Sequence, residues 1–357
     1  MNRSGLTAAF LLLACTGSSL VAQERPKYLD AADILKIVRD SKNSYGIKEG
    51  TAGEGELADP LSIMFPESVK PVEGPIVSVD ARGRKKLDSY RITEQMAGYL
   101  ERAEPLFEAG KYDEAREIYR ELVAAVPDCF FAVSHIGDTY FRTGGYDSAL
   151  VWYERAIAMN RNDYHLAFYR ARTLHALGRF QESRREYIRT LMLNPRHKGT
   201  YKDLEAYAND LGITLNSTLF TPKALAVATG EGVDVTVDMK GGAHWMVYGL
   251  AKGMWLGEPD HREALTGKRE RSIWSSTEDV ESILALLNVY IQTVEEGETA
   301  KSEQLERLLK VIKDGYVSAF VIYEFGSRSI PDIVLTQSDE FQASITGFIG
   351  TYVVPLK

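Results

Sequence analysis

The alternation of apolar and polar positions divides the chain into four stretches. Leu6 to Ala14 is an apolar run, preceded by Arg3 and too short to span a bilayer. Leu29 to Val38 places Ala32, Ile34, Leu35, Ile37 and Val38 where they predict one short amphipathic helix. Glycine and proline then accumulate from Tyr45 to Arg84 (Gly46, Gly50, Gly53, Gly55, Pro60, Pro66, Pro71, Pro75), so 23–91 reads as a linker with one short helix. From 92 to 213 the apolar spacing is helical throughout. Beyond 217 one alternating run, Val233-Asp234-Val235-Thr236-Val237-Asp238, predicts a strand. Four helical patterns follow, at His244–Trp255, Thr277–Val294, Ser302–Tyr323 and a last helix that Ser338 would cap. The expected fold class is mostly α: a helical-hairpin array, then a compact, mainly helical C-terminal domain over 217–357 with a short β element.

The central stretch repeats itself. Gly110-Lys111-Tyr112-Asp113-Glu114-Ala115 returns as Gly144-Gly145-Tyr146-Asp147-Ser148-Ala149 and again as Gly178-Arg179-Phe180-Gln181-Glu182-Ser183. Tyr119, Tyr153 and Tyr187 keep the same 34-residue step, and Pro127 and Pro195 close the first and third copies. Each position has a physical job. The glycine permits the turn between antiparallel helices, and Ala115, Ala149 and Ser183 are small where those helices approach. Ala103, Gly137 and Ala171 are the matching small positions on the first helix of each pair, with the tyrosines as wedges. From Gly199, the residues Tyr201, Leu204, Tyr207, Ala208 and Leu211 predict a capping helix that stops at Gly212.

This spacing resembles the tetratricopeptide repeat family, in three copies over roughly Met96 to Lys198. No such resemblance is found in the C-terminal stretch. The resemblance implies a stack whose first helices line a concave, peptide-binding groove. Carried onto this sequence, it places Leu100, Glu104 and Phe107 there from the first repeat. The second contributes Phe131, Ser134, Asp138 and Phe141, and the third His165, Phe168, Arg172 and His175. A slip of register would turn some of these aromatics into core. Family members that hold a dicarboxylate tail use a Lys and Asn clamp. The equivalent places here carry Leu100, Glu104, His135, His165 and Tyr169, so that clamp is absent.

Charge and composition narrow the partner. The formal net charge is −8, which opposes general binding to nucleic acid or anionic lipid, since both require phosphate neutralisation. Along the repeats the charge is graded, −4 over Met96–Cys129, −1 over Phe130–Asp163 and +6 over Tyr164–Lys198. Arg184, Arg185 and Arg189 stand on a second helix and read as solvated surface, leaving Arg172 as an electrostatic guide for an acidic peptide.

The N-terminus predicts export, and two exits are open. Leu20-Val21-Ala22 before Gln23 suits ordinary cleavage of a 1–22 signal peptide. Leu12-Leu13-Ala14-Cys15 resembles a lipobox, in which Cys15 would carry lipid and supply the sole membrane attachment. The other cysteine, Cys129, lies beside Phe130 and Phe131 and reads as a buried thiol.

Candidate chemistry is sparse. Glu258-Pro259-Asp260-His261 has the carboxylate and imidazole spacing of half a helical metal site, which makes Glu258 and His261 a candidate pair. Pro259 interrupts that spacing, no second copy exists, and such clusters are more often capping and surface groups. No nucleophile elbow, phosphate loop or dinucleotide fingerprint occurs. The expectation is therefore a non-enzymatic, cofactor-free adaptor of the cell envelope that binds a protein or peptide. Two alternatives stay open: a C-terminal enzyme or ligand domain, or repeats whose groove is filled by their own C-terminal domain.

Overall fold

A computed structural model describes residues 28–65, 70–271 and 274–357. The leader expected at 1–22, with Cys15, lies outside the described residues. The first elements are α1 (Ala31–Asp40), β1 (Ser44–Glu49), α2 (Pro60–Met64) and a hairpin of β2 (Pro75–Val79) and β3 (Lys85–Ser89). The expectation of a linker over 23–91 is thus corrected. Among the described residues Gly50, Gly53 and Pro71 fall between short elements, Pro60 and Pro75 begin elements, and Gly46 lies inside β1. At the hairpin tip Asp80 accepts from the amides of Arg82 and Arg84 at 2.8 and 2.9 Å, and Pro60 opens α2 where no amide donor is needed. Strands of five or six residues with half-exposed faces leave little pattern to read.

Three helical hairpins follow: α3 (Glu94–Glu108) with α4 (Tyr112–Ala125), α5 (Phe130–Arg142) with α6 (Tyr146–Met159), and α7 (Tyr164–Ala176) with α8 (Phe180–Leu193). Gly110, Gly144 and Gly178 take φ of 74°, 78° and 71° at the three turns, the left-handed region that glycine enters without a Cβ penalty. Tyr119, Tyr153 and Tyr187 are at most 1% exposed, wedged against the small positions. The fit is tight: a Cβ on Gly137 would stand 2.9 Å from the Tyr153 ring. Ser183 replaces an alanine without loss because its hydroxyl donates to the Ala171 carbonyl at 2.8 Å. The capping segment is α9 (Lys198–Ala206), shorter than expected, and then turns to reach Gly212 with Leu204 and Leu211 fully buried.

The remaining elements are β4 (Ala224–Ala228), β5 (Gly232–Val237), α10 (Ala243–Gly257), α11 (Pro259–Thr266), α12 (Ser276–Glu295) and α13 (Glu303–Lys313). After them come α14 (Val317–Val321), a wider helical turn at Ile322–Gly326, α15 (Ser327–Ser329) and α16 (Asp339–Phe348). The single helix expected over Ser302–Tyr323 is broken at Gly315, whose φ is 82°. Ser338 caps α16 as expected, accepting from the Phe341 amide. Among the described residues no helix is long and apolar enough to cross a membrane.

The chain forms two units, and their membership corrects the expected boundaries at 91, 213 and 217. One unit joins 28–65 to 218–329; the other joins 70–217 to 330–357. In the first, β1 runs parallel to β5 and β4 antiparallel to it, in the order β1-β5-β4. Helix α10 lies on this sheet through Gly249, Gly253 and Gly257; a Cβ at Gly249 would stand 2.7 Å from Val235. In the second unit, Arg184 on α8 donates to the carbonyls of Gly350 and Val354 at 2.9 and 2.7 Å. Leu335, Val77 and Leu87 pack with Ala167 and Leu193, and the Tyr90 ring meets Phe130 at 4.9 Å. The last 28 residues therefore belong with the repeats, and the N-terminal strand with the C-terminal sheet. These are long-range pairings that local periodicity does not encode.

Candidate functional site

On the first helices of the three repeats, one face of each meets a concavity of about 210 Å³. Helix α3 brings Glu104, Phe107 and Glu108, at the i, i+3, i+4 spacing of a single face. Helix α5 adds His135, Asp138, Phe141 and Arg142, and α7 adds Tyr169 and Arg172. Tyr119 of α4 closes the floor.

A polar network holds this wall. Asp138 accepts from the Tyr153 hydroxyl at 2.6 Å and lies 3.0 Å from Nδ1 of His135, whose ring stacks on Tyr119. Burial pushes the Tyr119, Tyr153 and Tyr169 phenols above their ordinary range, and the neighbouring carboxylates push the same way. All three stay protonated at neutral pH. Arg172 sits 5.3 Å over the Phe141 ring and 3.2 Å from Asp203. Burial raises the pKa of Asp203, and the Arg172 charge opposes that.

Of the residues the resemblance implied, Glu104, Phe107, Asp138, Phe141 and Arg172 meet in this concavity. The other six serve elsewhere. Leu100 packs with the core around Met96 and Ala103, Phe131 stacks on Phe130 and meets the Tyr90 ring edge-on, and Ser134 is buried. His165 lies on the Tyr164 ring near Asp163, Phe168 lies against His197, and His175 stacks on Tyr207 beside Asp210. The terminal aromatics were misplaced because α9 and the Tyr90 segment cover the array's ends. Five lining residues were missed: Glu108, Tyr119, His135, Arg142 and Tyr169. His135 and Tyr169 carried a signal, since they hold clamp-equivalent positions.

Glu258 and His261 are engaged separately. Glu258 accepts from the hydroxyls of Ser41 and Tyr45, at 2.5 and 2.7 Å. His261 bonds Glu281 at 2.7 Å, and that carboxylate also takes the Trp255 indole N–H and the Leu29 amide. Among the described residues no group of three or more His, Cys, Asp or Glu is placed to hold a metal. The arrangement staples the N-terminal segment to α10 and α12.

Deeper in the same unit, Lys252 is buried between Glu278 and Asp279, with Asp279 at 2.9 Å. Burial pushes the Asp279 carboxyl up to about 6 against the pull of Lys252.

The tetratricopeptide repeat family matches residues 100–163 and 135–192. The central region is a tetratricopeptide repeat array. Similar solved structures include the first such domain of Spaghetti (RPAP3) bound to an HSP90 peptide, SRMEEVD. It is 25% identical over 34% of this chain and 95% of that one, with a TM-score of 0.32. The first such domain of human RPAP3 is 26% identical over 32% and 89%, with a TM-score of 0.31. The Yersinia enterocolitica type III secretion chaperone SycD, in complex with a peptide of the translocator YopD, is 17% identical over 34% and 92%, with a TM-score of 0.30. No curated relative matches the chain.

Proposed function

We propose that this protein is an exported, non-enzymatic adaptor whose repeats hold an extended segment of another protein in the concavity between Glu104 and Arg172. The observation that carries the reading is the groove itself. Phe107 and Phe141 are only partly buried there, amid charges of both signs, on the face that a repeat stack leaves for partners. The repeat family match supports a protein or peptide partner. Arg3, the apolar run from Leu6 and the small residues before Gln23 support export.

Two measurements test the two halves. Crosslinked pull-down from native envelope extract compares the wild type with a Phe107→Ala, Phe141→Ala, Arg142→Glu variant that keeps its circular-dichroism melt. A protein held by the wild type and released by the variant is the expected result; identical captures would overturn the groove reading. Mass spectrometry of the mature N-terminus should find Gln23 first, or an acylated Cys15. An intact Met1 would overturn export.

A further inference from the structure

The groove is polarised, and its polarity specifies an occupant. Glu104 and Glu108 form no hydrogen bond or ion pair among the described residues, although they are exposed on one face of α3. Like charges at this spacing cost a helix about 0.2–0.5 kcal/mol, so nothing in α3 itself benefits from the pair. His135 adds to the same half. Its Nδ1 lies 3.0 Å from Asp138, which sets a third carboxylate beside that ring on the wall. The opposite half carries donors. Arg172 shares its charge with Asp203, whereas Arg142 has neither ion pair nor hydrogen bond among the described residues. Phe107 and Phe141 lie with them on the same wall.

We propose that the groove selects a peptide segment of mixed charge. Its Lys or Arg meets Glu104 and Glu108, its carboxylate meets Arg142, and an apolar side chain between them packs on Phe107 and Phe141. This rests on the adaptor reading and gives it a partner chemistry. It departs from the expectation of an acidic peptide, which would bring carboxylates against Glu104 and Glu108. A uniformly basic segment would meet Arg142 and Arg172. Each mismatch leaves a groove charge desolvated without a partner. In an extended peptide, side chains at i, i+2 and i+4 share one face, which sets the spacing of the three anchors.

The test uses the full chain and four fluorescein-labelled peptides read by anisotropy. Two are of mixed charge, Gly-Gly-Lys-Ala-Phe-Ala-Asp-Gly-Gly and its reverse order; the others carry Asp at both charged places, or Lys at both. One mixed peptide should bind about tenfold tighter than either single-sign peptide, with a preference that weakens as salt rises. Arg142→Glu should move the preference to the Lys peptide, and the Glu104→Lys, Glu108→Lys variant to the Asp peptide. Equal affinities, no saturable binding, or an order unchanged by charge reversal would each overturn the assignment. If the pull-down still loses a partner in the groove variant, the adaptor reading stands and only the charge assignment falls.

Discussion

The repeat hairpins and the sheet-containing unit differ in how far along the chain they pair and in how they place charge. The three hairpins are built from neighbours: each packs on the next, and a 34-residue step reproduces the same tyrosine, small residue and turn glycine, with 330–357 joining them from far along the chain. The other unit pairs β1 with β5 across about 190 residues of sequence and buries Lys252 between two carboxylates. The repeats instead leave Glu104, Glu108 and Arg142 on the groove wall. A periodic stack does not need its concave charges for folding, so they are free to serve a partner. A unit that buries its charges has committed them to its own stability.

The comparison breaks most easily at Lys252. Lys252→Met leaves Glu278 and Asp279 buried without their counter-ion, which should cost the sheet-containing unit about 3–5 kcal/mol. Tryptophan fluorescence separates the units, because Trp245, Trp255 and Trp274 lie in that unit and Trp152 alone in the repeats. If both transitions shift together, the units do not respond separately. Next in size is Gly137→Val, which drives a side chain into the Tyr153 ring and should cost the repeats about 1–3 kcal/mol. Here the Trp152 signal should move and the other three should not.

Acid should sharpen the contrast. His197 in the repeats is held down to about 4, chiefly by burial, with His165 adding to it. Its unfolded form binds protons more readily, so the stability it contributes is present above about 6.5 and lost as pH falls towards 4. Asp279 works the other way. Its folded pKa, raised to about 6, makes the folded unit the better proton binder between about 4 and 6, so its contribution weakens as pH rises through that window. His244, lowered to about 4 by burial and then Lys223, opposes it within the same unit. Urea midpoints at several pH values should show the Asp279→Asn variant losing this acid-side gain, with the repeats unaffected. A wild-type pH slope in that variant would remove Asp279 from the account. The smallest effect belongs to the groove: Glu104→Gln with Glu108→Gln should change repeat stability by less than about 0.5 kcal/mol. A larger loss would mean those carboxylates serve the fold.

Much of the repeat unit was legible in the chain. The turn glycines, tyrosine wedges and small positions are local, and a helical hairpin meets its neighbour within one period. Glu104, Phe107, Asp138, Phe141 and Arg172 share one concavity for the same reason. The groove's ends were not legible, because Phe131, Phe168 and His175 face the groove or the core according to what covers them. Tyr90, His197 and Tyr207 cover them, from outside the three helical hairpins.

By itself, then, the sequence determined the repeat array, its number of copies and its turns, since these follow from side-chain size and φ preference at fixed steps. Only the tertiary structure decided that 330–357 joins the repeats, that β1 joins β5, and that Glu258 and His261 hold a segment in place. Each of these is a pairing between distant residues, chosen by the burial of whole surfaces, and no local pattern in the chain carries that information.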